Sequence, residues 1–258
     1  MKKIYLLIIV SFCAKAQNLV NLQYNVTDRN GYQCTGSLFI NGSENMFVIN
    51  DPRTEKNNQS NVNPQTSYKL YNDKWSRIFY FNGKEMITRI PLYEKEVVYF
   101  SNEVPKNIKF TSGKKIIGKF NCQEALIEKG GRKYSVYFTK DYPKQVGPMG
   151  FNFLPGLVVE IRDLEDSFSK VELVKITKES ANKTFEDDKK YILAKKPDKF
   201  MVYCKNIISL MPNKKRENYA LLAKYNATIE YAPDESFYTD HLIDIPENLV
   251  KELKKIKE

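Results

Sequence analysis

One histidine, His241, serves a chain of 258 residues, and this scarcity excludes much catalytic chemistry. A three-histidine zinc site cannot be built, and cysteine–histidine zinc sets need close thiol pairs that the four cysteines do not supply. A Ser-His-Asp or Cys-His arrangement would have to use His241. No Gly-x-Ser-x-Gly elbow, phosphate-binding loop or dinucleotide fingerprint accompanies it. His241 therefore reads as a surface residue of the turn Tyr238-Thr239-Asp240-His241. No residue is assigned as catalytic or as a metal ligand, and no cofactor is expected.

Long apolar runs are scarce too. The one clear run, Ile4 to Phe12, is too short to span a bilayer; Lys2 and Lys3 precede it and Ala14-Lys15-Ala16 follows it. This order predicts a signal peptide over residues 1–16, with a single exported domain over 17–258 beginning at Gln17. The expected location is the cell envelope: periplasmic, outer-membrane associated or secreted. No transmembrane helix is expected in the mature chain. Processing would remove three lysines and no acid, lowering the net charge from +10 to +7. That excess is spread widely, without the compact basic stripe and interleaved aromatics of a nucleic-acid surface, so no specific nucleic-acid partner is expected.

Three cysteines would survive processing, Cys34, Cys122 and Cys204. An odd count allows one disulfide plus a thiol, or three buried small apolar groups, and spacing alone does not choose a pairing.

Strand and turn signals dominate the first two-thirds. Runs over 37–40 and 46–49 flank Asn41 to Asn45, and runs over 77–81 and 86–90 flank Asn82-Gly83, which predicts two hairpins. The polar stretch Asp51 to Ser67, with Pro52 and Pro64, reads as a long loop. Lys115 to Ile127 and Arg132 to Thr139 read as two strands joined across Gly130-Gly131. In the second, Tyr134, Val136 and Phe138 share the core face by the two-residue period, with Arg132 at its start. Arg132 then either sits at the sheet edge or needs an acidic partner, for which Glu160 is a candidate. Leu157–Ile161 and Phe168–Ile176 predict a further hairpin. Helical spacing follows at Phe200, Cys204, Ile207 and Ile208, and again at Leu249, Val250, Leu253 and Ile256.

Between the strands lies Gly147 to Ile161, GPMGFNFLPGLVVEI, a stretch of glycines, prolines and large apolar residues that runs straight into a β-branched strand. Its hexapeptide, Phe153-Leu154-Pro155-Gly156-Leu157-Val158, resembles the Gly-Leu-Pro-Gly-Leu-Ile signature of the GLPGLI family of exported proteins. Further elements occur in that family's order: Ile116-Ile117-Gly118 leading to Cys122 and Ala125, then Gly131-Arg132-Lys133-Tyr134, Phe138-Thr139-Lys140-Asp141-Tyr142-Pro143 and Gly147-Pro148. Phe153 stands in place of the first signature glycine and Val158 in place of the isoleucine. The resemblance implies export and a mostly antiparallel β fold, and it implies no established activity.

The fold expected is mainly β with an α+β arrangement: a curved antiparallel sheet or half-barrel with C-terminal helices packed on one side. The loop 141–156 is the expected binding surface. Pro148 and Pro155 stiffen it, which lowers the entropy lost on docking. Asp141, Tyr142, Gly147, Phe151, Phe153 and Gly156 belong to the same loop, with Arg132 and Tyr134 adjacent. The favoured function is non-enzymatic binding of an apolar ligand such as a lipid, of a peptide, or of an envelope protein. The alternative is a carboxylate-dependent hydrolase of glycan or peptide using residues such as Asp141 and Glu160.

Overall fold

Two-residue alternation of apolar side chains runs through most of the chain, and its product is a single large sheet. The computed structural model describes residues 19–27, 31, 33–50, 76–92, 95–101, 105–129, 132–165, 169–179, 182–199 and 202. The strands are β1 (Leu19–Thr27), β2 (Gln33–Asn41), β3 (Glu44–Asn50), β4 (Arg77–Phe81), β5 (Met86–Leu92), β6 (Lys95–Ser101), β7 (Asn107–Ile117), β8 (Phe120–Lys129), β9 (Arg132–Thr139), β10 (Leu157–Asp163), β11 (Lys170–Glu179) and the short β12 (Asp198–Lys199). Their order is β12-β6-β5-β4-β3-β2-β1-β11-β10-β9-β8-β7, and the sheet does not close. Two meanders, β1 to β6 and β7 to β11, are joined side by side through the antiparallel pair β1–β11. Among the described strands only β12 runs parallel to its neighbour, β6.

The predicted hairpins at 41–45 and 82–83 are present as β2–β3 and β4–β5. In the second, the Asn82 side chain accepts hydrogen bonds from the Lys84 and Glu85 amides, both at 2.9 Å, and so holds the turn. The β8–β9 and β10–β11 hairpins also form. One expected strand is corrected: Lys115 to Ile127 is not continuous, because the chain reverses at Gly118-Lys119 and the two halves pair as β7 and β8. A glycine with φ +57° at this turn is what lets the reversal fit in two residues.

Two apolar clusters lie on opposite faces of the sheet. The larger gathers Leu22 and Tyr24 of β1, Leu38 and Ile40 of β2, Phe47 of β3, Phe79 of β4, Ala125 and Ile127 of β8, and Tyr134, Val136 and Phe138 of β9. These strands stand far apart in the sheet order, so the sheet and the 140–156 segment together enclose one core. The second cluster uses the alternate residues Phe39, Met46, Val48, Ile78, Tyr80, Ile87 and Val98. A helix, α1 (Lys183–Leu193), covers it with Phe185 and Ile192. Asn182 caps this helix by accepting from the Phe185 amide at 3.1 Å. Lys189 bonds Glu44 at 2.5 Å and Arg89 lies 4.8 Å from the Tyr191 ring centre, tying the helix to the strands. Burial against these strands raises the Asp188 pKa, and Arg89 offsets part of that rise. The helix expected around 200–208, apart from Val202, and the one around 249–256 lie outside the described residues, as do the signal segment, Gln17, the 51–67 loop, Cys204 and His241. Among the described residues no helix is long and apolar enough to cross a membrane.

Candidate functional site

The segment between β9 and β10 departs from Thr139, crosses the core face of the sheet and returns beside its starting point. Its return is fixed by a short parallel bridge: the Val146 amide donates to the Gly156 carbonyl at 3.2 Å, and the Val158 amide donates to the Val146 carbonyl at 2.9 Å. Between them Pro148–Gly150 form a single 3₁₀ turn, in which Met149 has φ 51° and Gly150 φ 78°. The Asn152 side chain accepts from the Gly147 amide at 3.0 Å and closes the excursion on itself. At the far meander, Lys144 reaches the Gly42 carbonyl at 3.2 Å and Asn152 reaches Asn45 at 3.4 Å.

Tight backbone approach explains two of the glycines. A Cβ at Gly156, whose φ is +148°, would overlap the Thr139 carbonyl. At Gly147 it would lie 2.5 Å from the Phe151 carbonyl oxygen and 2.8 Å from Val158. Phe153, by contrast, has no positive φ, so the chain passes through that position without needing a glycine.

The proposed recognition residues divide into an interior set and a rim set. Phe151 is 3% exposed, and its ring packs edge-on against Tyr134 at 5.4 Å, with the Lys129 ammonium 5.3 Å from the ring centre. Met149 and Leu154 are buried beside it, as are Gly147, Pro148 and Gly156. Phe153 and Tyr142 are half-buried, Phe153 lying 5.5 Å from Phe151. Burial raises the Tyr142 pKa. Asp141 and Pro155 are exposed. The loop therefore seals the core with most of its apolar residues and leaves its Asp141 end in solvent.

Arg132 has an acidic partner, but it is Asp163, at 3.0 Å, and not Glu160. Asp163 ends β10 and is buried, although its sequence context resembles an ordinary turn. Glu160 is instead held on the opposite face of the sheet, 2% exposed, by Lys115 at 2.8 and 2.9 Å and by Arg162 at 2.5 Å. In register, Glu160 stands across from Tyr137, and Tyr137 across from Glu124. Lys115 lies 4.2 Å from the Tyr137 ring centre and completes the group. Hydrogen bonds from Ser135 (2.6 Å) and Thr111 (2.7 Å) hold the Glu124 carboxyl below the usual range. Asp141 belongs to a different place: its carboxylate accepts from the Asn121 amide at 3.3 Å, at the tip of the β7–β8 hairpin.

At that tip the hairpin and the Lys140–Asp141 corner bound an open cleft of about 380 Å³. Phe138 forms its apolar floor, Ile116 one wall, and Lys114, Lys115 and Lys140 its basic rim. Cys122 also lines it, a buried thiol whose pKa is pushed up to about 11 by desolvation. Cys34 and Cys122 are both buried. The cleft has no signal in the sequence, because it depends on β7 turning back on β8 at Gly118. Among the described residues, no three His, Cys, Asp or Glu side chains are grouped to hold a metal ion.

Neither any family model nor any curated protein matches this chain. Among solved structures it is similar to PNGF-II in the C2 space group, with 16% identity and a TM-score of 0.46, covering 70% of this chain and 31% of that one. For PNGF-II in the P21 space group the values are 15% and 0.48, covering 72% and 32%. An uncharacterized conserved protein from Thermus thermophilus is similar at 8% identity and a TM-score of 0.35, covering 66% and 84%. The matched region thus spans about a third of the PNGF-II chains.

Proposed function

We propose that this chain is an exported, non-enzymatic binding protein of the cell envelope. In this reading it is a half-barrel similar to GLPGLI proteins, with its C-terminal helices packed on one side. It takes an apolar ligand, peptide or protein partner at the Asp141 end of the 141–156 loop. The observation that carries the reading is the division of that loop. Met149, Phe151 and Leu154 are consumed in closing the core, yet an open cleft with Phe138 as its floor remains where the loop leaves β9. An apolar floor with a few polar groups converging on it is the usual make-up of a small-molecule site. Both Glu160 oxygens are engaged by cations on the other face, which leaves Asp141 without a second free carboxylate beside it among the residues lining the cleft.

The test is native mass spectrometry of the protein purified from its own envelope fraction without detergent. A co-purified mass that is retained by the wild type and lost by Ile116→Ser, with the melting transition unchanged, is the expected result. Retention by Ile116→Ser would move the site away from the cleft. N-terminal sequencing of the same material should begin at Gln17; a chain starting at Met1 would remove export from the reading.

A further inference from the structure

We infer that the cleft at the β7–β8 tip takes a single-chain amphiphile with an acidic headgroup, carboxylate or phosphate. Lys114 and Lys140 hold the headgroup, and Ile116 carries the chain over the buried Phe138 floor. This deepens the binding reading and rests on it.

The charge of the rim is the first argument. Of its three lysines, Lys115 is committed to Glu160, whereas Lys114 and Lys140 make no ion pair among the described residues. The one acid on the rim, Asp141, already accepts a backbone hydrogen bond from Asn121. Two uncommitted ammonium groups against one carboxylate leave the rim a net cation that an anionic headgroup would neutralise.

Apolar surface supplies the second argument. Ile116 is 75% exposed, and Phe110, whose ring lies 5.8 Å from that of Phe138, is 50% exposed. Phe110 and Ile108 pair across from Ala125 and Ile127, which belong to the larger core, so both stand on that face of the sheet at its open edge. The cleft floor is thus continued along β7 by an apolar track leading away from the lysines, the arrangement a headgroup and tail require. A volume of about 380 Å³ lies near the low end of small-molecule pockets, roughly 300–1,000 Å³, and suits one chain better than a two-chain lipid.

A protein strand is the other occupant an open edge invites, and β7 is poorly made for it. Its pairing with β8 is interrupted between Phe110 and Lys114, where Thr111 and Gly113 bulge toward Glu124. A partner strand would find only two short runs of regular backbone.

The experiment is calorimetric titration of the mature protein at neutral pH with decanoate, uncharged decanol and inorganic phosphate, alongside sedimentation with phosphatidylglycerol vesicles. Decanoate is expected to bind saturably and about tenfold more tightly than decanol, the scale of one charge-assisted contact. Lys114→Ala with Lys140→Ala should bring decanoate down to the decanol level while leaving decanol unchanged. Ile116→Ser should weaken both. Equal affinity for decanoate and decanol, or no effect of the lysine pair, would overturn the acidic headgroup while the binding reading stands. Phosphate binding as tightly as decanoate would overturn the amphiphile, and binding to vesicles alone would overturn the cleft as its site. If neither decanoate nor decanol binds, the binding reading itself falls for this ligand class. The substituted side chains are exposed, and a melting curve for each variant separates loss of binding from loss of fold.

Discussion

The phenol of Tyr24, in the middle of β1, donates a 2.8 Å hydrogen bond to the backbone carbonyl of Val158, 134 positions later in the chain. Val158 stands beside the irregularity in the β9–β10 register, its amide is spent on the Val146 carbonyl, and its buried carbonyl is satisfied by this phenol. The same ring meets Phe47 edge-on at 5.7 Å. One side chain thus joins the return of the 140–156 segment to the far meander. Burial raises the Tyr24 pKa far above that of a free phenol, so it remains a donor throughout the working range.

Tyr24→Phe keeps the ring contact and removes the donor. A buried carbonyl left without a partner costs about 1–3 kcal/mol. Chemical denaturation should show a loss of that size with an unchanged m-value. A loss below about 0.5 kcal/mol, the spread of unremarkable substitutions, would mean that water satisfies Val158 and that the hydrogen bond does not anchor the loop.

Glycine positions offer a paired comparison. Gly42 and Gly156 both have positive φ, but a Cβ at Gly42 meets nothing within 4 Å, whereas at Gly156 it overlaps the Thr139 carbonyl. Gly42→Ala should therefore cost only the left-handed backbone term, about 1–2 kcal/mol. Gly156→Ala must also displace β9 from β10, and a markedly larger loss, or failure to accumulate folded protein, is expected. Equal melting temperatures for the two variants would contradict the close approach.

Much of this was legible in the sequence. The hairpins around Asn41–Asn45 and Asn82-Gly83 and the core face Tyr134, Val136 and Phe138 follow from turn chemistry and a two-residue period. What was illegible depends on register. Val171 and Leu173 face the core as their period requires, but the shift opposite Gln23 and Tyr24 brings Ile176 to the core side and leaves Val174 60% exposed. The alternation in Lys115–Ile127 runs through the Gly118 reversal and hides it. Helix α1 was missed because only Phe185 and Ile192 of its eleven residues are buried, although Asn182 was a readable cap. Phe151 reads in the sequence as a docking aromatic or as a core plug, and the path of the loop makes it the latter. Phe151→Ala is therefore expected to cost about 3–5 kcal/mol of stability, as large core truncations do.

Acid should test the group on the opposite face. The folded-state pKa of Glu124 lies below its unfolded value, chiefly through the Ser135 bond and then that of Thr111. At a pH between the two values the unfolded chain binds the proton and the folded chain does not, so this contribution is complete above the unfolded pKa and fades as pH falls through the folded one. Ser135→Ala should flatten that acid limb and leave stability at pH 9 changed only by the lost hydrogen bond. The check is a series of urea midpoints from pH 3 to pH 7 for both proteins. Parallel curves would show that the Ser135 bond does not set the Glu124 titration.

The Cys122 thiol provides a probe of the cleft that does not depend on knowing its ligand. It is 3% exposed and lines the cleft, and desolvation, partly countered by the Ile117 backbone and by Lys115, raises its pKa to about 11. Since the thiolate is the reactive form, alkylation at pH 8 should be slow in the folded protein and fast in urea. The unfolded thiol ionises from its ordinary pKa near 9, while the folded one waits until about 11, so stability should fall as pH rises between these values. Peptide-level mass spectrometry resolves Cys122 from Cys34 and Cys204. An occupant of the cleft would slow Cys122 further while leaving Cys34, buried elsewhere in the core, unchanged. Rapid modification of Cys122 at pH 8 in the native protein would mean that the β7–β8 tip opens readily, and then the cleft volume would describe only its closed form.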